Sequence, residues 1–212
     1  MLKLSIFFIF LSLSLQAEQD KDYLKEAKYW TTRVFEQISA VGCSHSHDTA
    51  KTFENIKVSR KINCAGSSSI VYQKAGLIAK GQIVSHTNGG HGVSYYDKTD
   101  LKKSLSLSAT GYSNLKHGTC DFVKVMKTYH NMPNWLKEKG IMYIQDKNIC
   151  ISAGNNKIYS CNNSDRKYGK NGINPLKGGG YPFDTPILWA IVPRSNGKSN
   201  VYSKTKYKHM AC

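Results

Sequence analysis

The spacing of apolar residues predicts a helix soon after residue 20. Apolar side chains recur at intervals of three and four residues, at Tyr23, Ala27, Trp30, Val34 and Ile38. These intervals place them on one face of an α-helix, and Gly42 follows as a residue that can end it. We expect the helix to pack on the core through this face.

A second, shorter helix is predicted to begin at Cys64. Asn63 is a favourable N-cap, and the residues from Ala65 to Lys74 include no proline. Gly76 is placed to end the helix in a left-handed conformation, with Leu77 as the apolar contact that usually follows. Cys64 therefore lies in the first turn of this helix.

The second half of the chain predicts a small antiparallel sheet. Apolar runs with the length of strands occupy residues 140–145, 148–154, 157–161 and 187–192. Asn155-Asn156, between the second and third runs, is typical of a two-residue hairpin turn. The last run lies between Pro186 and Pro193 and predicts a strand buried on both faces. Helices followed by such a sheet indicate an α+β fold.

Three other segments complete the predicted architecture. Residues 121–131 carry Phe122, Val125, Met126 and Tyr129 at helical intervals, which predicts a third helix. Residues 165–180 are basic and rich in glycine, which is typical of a loop. Residues 201–212 form a basic tail that Cys212 could hold to the rest of the protein.

Residues 1–17 have the pattern of a secretory signal peptide. Lys3 precedes an apolar run from Leu4 to Leu13, and Leu15-Gln16-Ala17 forms an acceptable cleavage site. The run is too short for a membrane span and acidic residues follow it closely, so we expect no transmembrane anchor. The sequence thus predicts a secreted or periplasmic protein whose residues 18–212 form a single domain.

The charge of the chain is strongly positive. It contains 30 lysines and arginines against 14 aspartates and glutamates, a formal net charge of +16. The basic residues are dispersed, which favours an anionic polymer such as a cell wall, a membrane surface or nucleic acid as partner. Dispersed charge does not choose among them, and a basic protein without such a partner fits equally. Nucleic acid has no support beyond this charge.

Six cysteines in an exported chain indicate disulfides. If Asn155-Asn156 forms a two-residue turn, Gly154 faces Lys157, and Cys150 faces Cys161 across the hairpin. That separation suits a disulfide, although two reduced cysteines packed as small apolar residues would fit the same register. None of the cysteine spacings has the form of a zinc site.

Cys64 is the residue with the properties of a nucleophile. Free amides and the dipole at a helix start stabilise a thiolate, so we expect a lowered pKa for this thiol. Ala65, Gly66 and Ser67 are small and leave the sulfur approachable. The alternative is that Cys64 forms a disulfide with Cys43 or Cys120, which would exclude this role.

Asn63-Cys64-Ala65-Gly66, followed by residues 70–77, resembles the nucleophile helix of the NlpC/P60 cysteine peptidases. That family usually has Asp-Cys-Ser-Gly at this place and an apolar helix ending in Ala-Gly-Ile. The resemblance covers about residues 55–195 and implies a small papain-like fold that cleaves peptide or amide bonds of bacterial cell walls. It also implies that Cys64 attacks the carbonyl, while amides of its helix stabilise the oxyanion.

The sequence departs from this family at the catalytic histidine. Residues 140–161 match the family's strands in order and length, but the histidine position holds Asn148, and the third, orienting residue falls near Ser160. Asparagine does not accept a proton near neutral pH, so another residue must act as the base. His86 is our first candidate, with His91 and His117 as others.

The resemblance leads to two expectations of function. The first is an exported cysteine peptidase or amidase that acts on peptidoglycan peptides. The second is a catalytically silent papain-like domain that binds a glycan, a peptide or a partner protein. We expect no cofactor. We also expect no metal site, because His45, His47 and Asp48 lie in a serine-rich segment where solvated side chains are the simpler interpretation.

Overall fold

A computed structural model describes residues 21–41, 63–84, 114–146, 148–161, 173–175, 182–201 and 207–212. The predicted signal peptide at residues 1–17 lies outside these ranges. So do His45, His47, His86 and His91, and our predictions for them stay predictions. No helix in the described ranges combines the length and apolarity that a membrane span requires.

The described residues form two α-helices and a seven-stranded antiparallel sheet, an α+β arrangement. The helices are α1 (Tyr23–Val41) and α2 (Cys64–Ala75). The strands are β1 (Cys120–Lys127), β2 (Met142–Ile144), β3 (Ile149–Gly154), β4 (Lys157–Tyr159), β5 (Ile173–Pro175), β6 (Ile187–Pro193) and β7 (His209–Ala211). Short 3-10 helices span Tyr129–Asn131 and Asn134–Lys137. The strand order is β5-β4-β3-β2-β6-β1-β7.

Both faces of the sheet are covered by apolar side chains. The first core contains the buried faces of α1 and α2 together with Met142, Ile149 and Ile151. The second core lies on the opposite face and includes Tyr143 and Cys150. Every residue of β6 is buried, as expected for a strand covered on both sides.

The caps of α2 confirm the predicted helix. The Oδ1 atom of Asn63 accepts a hydrogen bond from the Gly66 N–H at 2.8 Å, and Gly76 ends the helix with a φ of 87°. The Asn155-Asn156 turn is also confirmed, since both residues adopt positive φ angles of 50° and 58°. Asparagine tolerates this conformation better than most residues do.

The helix predicted at residues 121–131 is wrong. Residues 120–127 form β1, which pairs with β6 on one side and with β7 on the other. Phe122 belongs to the first core, whereas Val123 and Val125 belong to the second. A strand buried on both faces lacks a simple alternation of apolar and polar residues, and here an irregularity after Lys124 brought the apolar spacing close to that of a helix.

The predicted disulfide between Cys150 and Cys161 is wrong as well. Gly154 does face Lys157, but the register then shifts at Ala153, so that Ser152 faces Ile158. A shift of one residue moves side chains to the opposite face of a sheet. Cys161 consequently lies in the core under the helices, while Cys150 lies in the other core and is a free thiol.

The sheet extends beyond the residues predicted for it. β7 pairs with β1, and a disulfide joins Cys120 to Cys212 with Cα atoms 5.3 Å apart. The predicted attachment of the basic tail through Cys212 is therefore confirmed. Cys161 is disulfide-bonded too.

The Tyr72 hydroxyl joins α2 to the middle of the sheet. It lies 2.9 Å from the Ile191 carbonyl oxygen and 3.2 Å from that of Gly140, and it accepts a bond from the Met142 N–H at 3.1 Å. The side chain is fully buried, and burial raises its pKa far above the ordinary value. The phenol therefore stays neutral and able to donate.

We expect Tyr72→Phe to destabilise the protein by about 1–3 kcal/mol, since it removes a buried hydroxyl from groups that have no access to water. Tyr29→Phe is the matched control, because Tyr29 is 49% exposed. Its free energy of unfolding should change by less than about 0.5 kcal/mol. Urea titration followed by circular dichroism measures both. Equal losses in the two variants would contradict a role for this hydroxyl.

Gly140 lets α1 approach the start of β2. Its φ is +91°, and a Cβ atom there would lie 2.9 Å from the Lys28 nitrogen and 3.0 Å from the Ala27 carbonyl carbon. Both atoms belong to the backbone of a packed helix, so moving them aside would cost packing energy. Gly118 has a similar φ of +77°, yet a Cβ there would meet nothing within 4 Å.

The two glycines predict different costs for the same substitution. Gly118→Ala should cost only the strain of a left-handed residue, about 1–2 kcal/mol. Gly140→Ala adds displacement of the α1 backbone, for about 1–3 kcal/mol more. Chemical denaturation of the two variants beside the wild type measures this difference. A loss in Gly118→Ala as large as that in Gly140→Ala would show that contact with α1 is unimportant.

Candidate active site

Cys64 is the first residue of α2, and its neighbours use part of the hydrogen-bonding capacity of the helix start. The Asn63 side chain accepts from the Gly66 N–H, and the Asn63 carbonyl accepts from the Ser67 N–H at 3.0 Å. The N–H groups of Cys64 and Ala65 instead act on the Cys64 sulfur. These two amides therefore face the Cys64 sulfur.

The Cys64 sulfur also contacts the backbone of β3. The backbone N–H of Ile149, the first residue of β3, acts on the same sulfur. Cys64 is a half-buried free thiol, so the alternative of a disulfide with Cys43 or Cys120 is excluded. The sulfur therefore lies between the start of α2 and the start of β3.

The expected low pKa of Cys64 is wrong. Burial raises the pKa of this thiol above its ordinary value, although the amides of Ile149, Ala65 and Cys64 oppose that change. The sequence indicated the helix start but not how far neighbouring side chains would remove the sulfur from water. Cys64 is consequently a protonated thiol at neutral pH.

Asn148 and Ser160, the two positions that the family resemblance pointed to, are in contact. The Ser160 hydroxyl donates to the Asn148 Oδ1 atom at 3.1 Å, and the Asn148 Nδ2 donates to the Oε1 atom of Gln145 at 3.0 Å. All three side chains are buried. Asn148 directly precedes Ile149, so this polar group is next to the strand residue that meets Cys64.

Gln145 is a residue of this group that sequence reasoning missed. Its Nε2 atom donates to the carbonyl oxygens of Pro182 and Thr185, at 2.8 and 2.9 Å. It thereby links the end of β2 to the segment before β6. The available signal was a glutamine directly after an apolar strand, where a buried amide must find several partners.

Cys150 is a second free thiol close to this group. Its sulfur lies 3.9 Å from the Gln145 Oε1 atom, and the side chain is fully buried in the second core. Burial raises its pKa well above the ordinary value, and the charge of a Cys64 thiolate would raise it further. Cys150 is therefore an inert thiol near Cys64, on the opposite face of β3.

A histidine at Cys64 is not found in the described ranges. His117 is exposed in a turn, and neither it nor His130 or His209 is among the groups that act on the thiol. His86 and His91 lie outside the described residues. The nearest described position to His86 is Val84, whose backbone is bonded to the Ser69 hydroxyl of α2 at 2.9 and 3.1 Å.

The described side chains do not include a metal site. Across the ranges that the structure covers, no three His, Cys, Asp or Glu residues are grouped so that they could hold an ion.

Comparison of the chain with protein-family models, with curated proteins and with solved structures finds no match. The site is therefore interpreted from its own geometry.

The thiol environment predicts slow alkylation of Cys64. Its pKa is raised, so the thiolate fraction at neutral pH is smaller than in a small-molecule thiol, and its reaction with iodoacetamide should be slower. The rate should keep rising at pH values where a small thiol is already ionised. Peptide mapping after timed labelling measures this, with Cys150 expected to react only after unfolding. Faster reaction of Cys64 than of the small thiol at pH 6 would show that the helix start outweighs burial.

Proposed function

We propose that this protein is an exported cysteine peptidase or amidase with a papain-like fold, in which Cys64 attacks peptide bonds of the bacterial cell wall. The observation that carries the proposal is a free, half-buried thiol at the start of a helix that packs on an antiparallel sheet. Cys120, Cys161 and Cys212 are all disulfide-bonded in the same molecule. A half-buried thiol left unpaired at a helix start, in a molecule that contains disulfides, supports a chemical role.

The reaction would begin with attack of the Cys64 sulfur on the carbonyl carbon. The thiol proton passes to a base as the C–S bond forms, and the carbonyl oxygen takes the electron pair. Once the sulfur is bonded to carbon it carries no negative charge, so the N–H groups of Cys64 and Ala65 would be available to donate hydrogen bonds to that oxyanion. Collapse expels the amine with a proton from the base, and water hydrolyses the resulting thioester.

A general base is required because the thiol is protonated at neutral pH. Asn148 occupies the position that the family resemblance gives to histidine, and an amide does not accept the proton. His86 is our candidate for this role. It follows Val84 by two residues, and Val84 is fixed to the side of α2 through Ser69.

Export is supported by the disulfide between Cys120 and Cys212. Such bonds form and persist in oxidising compartments outside the cytosol. A peptidase of the cell wall would work in such a compartment. The positive net charge of the chain would also favour a wall that carries anionic polymers.

A second candidate function is a silent domain that binds a wall component without cleaving it. Asn148 favours this alternative, because both ends of its amide are already hydrogen-bonded, to Ser160 and to Gln145. An amide held in this way stabilises the start of β3 and offers no proton acceptor. The raised pKa of Cys64 points in the same direction.

Incubation with purified peptidoglycan, followed by mass spectrometry of released peptides, tests the first function. Cys64→Ala should lose activity by about a thousandfold or more, as expected for removal of a nucleophile. His86→Ala should lose a similar amount if His86 is the base. Cys150→Ala is the control that removes the other free thiol, and it should stay within a few-fold of the wild type.

The same preparation separates the two candidate functions. Absence of released peptides, together with sedimentation of the wild type and Cys64→Ala to equal extents with peptidoglycan, would contradict the peptidase and support the silent domain. Activity that survives in Cys64→Ala would remove Cys64 from the mechanism. Asn148→His tests the position at which this chain has asparagine and the resembled family has its catalytic histidine. If the residue at position 148 can interact with Cys64 as that histidine does, the substitution should increase the thiolate fraction of Cys64.

A further inference from the structure

A groove of about 750 Å³ lies at the far end of β3 from Cys64. It is lined by the Asn155-Asn156 turn, by the 3-10 helix Asn134–Lys137 and by Lys28 of α1. The strand runs from Ile149 beside the thiol to Gly154 beside the groove, which separates the two by about 16 Å at 3.3 Å per residue. The groove is therefore a separate site from Cys64.

The groove carries three lysines, and each ammonium group has a hydrogen-bond partner in the protein. Lys28 bonds to Glu138, Lys139 bonds to Thr32, and the Lys137 Nζ donates to the His130 carbonyl at 3.2 Å. An ammonium group has three donors, so each lysine keeps donors for a ligand.

The charge of the lining is positive but moderate. Lys28, Lys137 and Lys139 oppose the carboxylate of Glu138, which leaves a net charge of +2 among these four residues. Glu138 would repel the closely spaced phosphates of a nucleic acid. It can instead accept hydrogen bonds from hydroxyl groups. The lining thus suits a ligand with sparse negative charge and many hydroxyls.

The remaining side chains fit the flat faces and hydroxyls of sugar rings. Trp135 is half-buried and is held at one edge by the Tyr207 ring, with centroids 5.8 Å apart. Asn134, Asn155 and Asn156 are exposed, and each amide can both donate and accept. Aromatic faces bordered by a few convergent polar groups are typical of binding sites for small ligands.

We propose that this groove binds an acidic oligosaccharide, with a sugar ring on Trp135 and a carboxylate on Lys137 and Lys139. The side-chain amides of Asn155 and Asn156 form hydrogen bonds with the hydroxyl groups of the neighbouring sugar ring. This activity does not depend on the chemistry of Cys64, and it would hold the protein on a carboxylated glycan whether or not the thiol reacts.

Isothermal titration with tetragalacturonate tests the proposal, with the neutral cellotetraose and an oligothymidylate as comparison ligands. Tetragalacturonate should bind at least about tenfold more tightly than cellotetraose, because only the former carries the carboxylates. The oligothymidylate should bind more weakly than tetragalacturonate. Indole signals in heteronuclear NMR locate the site, since the signal that Trp135→Ala removes should be the one that shifts.

Variants separate the groove from general charge. Trp135→Ala should weaken tetragalacturonate binding by about tenfold and Lys137→Gln by several-fold, whereas Trp135→Phe should retain most of the affinity. Lys80→Gln is the control, since Lys80 is exposed and lies outside the groove. This variant should leave the affinity for tetragalacturonate unchanged. If Trp135→Ala unfolds, Trp135→Phe and Lys137→Gln still test the site.

Three results would overturn the proposal. One is tetragalacturonate binding no tighter than cellotetraose binding, or no binding of either at millimolar concentration. Another is tighter binding of the oligothymidylate with a steep loss of affinity in salt, which would indicate nucleic acid instead. The third is an affinity that Lys80→Gln and Lys137→Gln reduce equally, which would indicate charge without a site.

Discussion

The hydroxyl group of Tyr72 is the contact on which the arrangement of helix and sheet depends. One buried atom lies at hydrogen-bond distance from the Gly140 and Ile191 carbonyls and the Met142 N–H, and these belong to two neighbouring strands and the turn before one of them. Apolar packing alone would allow α2 to slide or rotate over the sheet, because the hydrophobic effect has no direction. A hydrogen-bonded phenol fixes one position. The start of α2, and with it Cys64, is thereby set against the start of β3.

The candidate site combines two opposing physical effects. The helix start and the amide of Ile149 would favour a thiolate, whereas removal of the sulfur from water favours the neutral thiol, and the second effect is larger. The Cys64 thiol therefore stays protonated and unreactive until a base or a bound substrate shifts this balance toward the thiolate. The buried group of Asn148, Ser160 and Gln145 shapes the neighbouring strand without supplying a proton acceptor.

Local sequence signals were sufficient to predict the elements that begin or end at a capping or turn residue. Asn63 and Gly76 delimit α2, and the Asn155-Asn156 turn fixes where β3 and β4 meet. Features that depend on distant pairing were not predictable in this way. The strand at residues 120–127 is stabilised by β6 and β7, and the shift at Ala153 that separates Cys150 from Cys161 is seen only in how β3 pairs with β4. The raised pKa of Cys64 likewise depends on residues far away in the chain.

The central position of β6 has a consequence for aggregation. β6 joins β1 to β2, yet it follows β1 by about 60 residues in the sequence, so this pairing closes only after a long loop has been brought together. Whenever β6 is detached, β1 and β2 each present an unpaired backbone edge bearing side chains such as Phe122, Val123 and Tyr143. Edges of this kind readily pair with other chains. The strand that completes the sheet is therefore also the one that keeps the protein from associating with copies of itself.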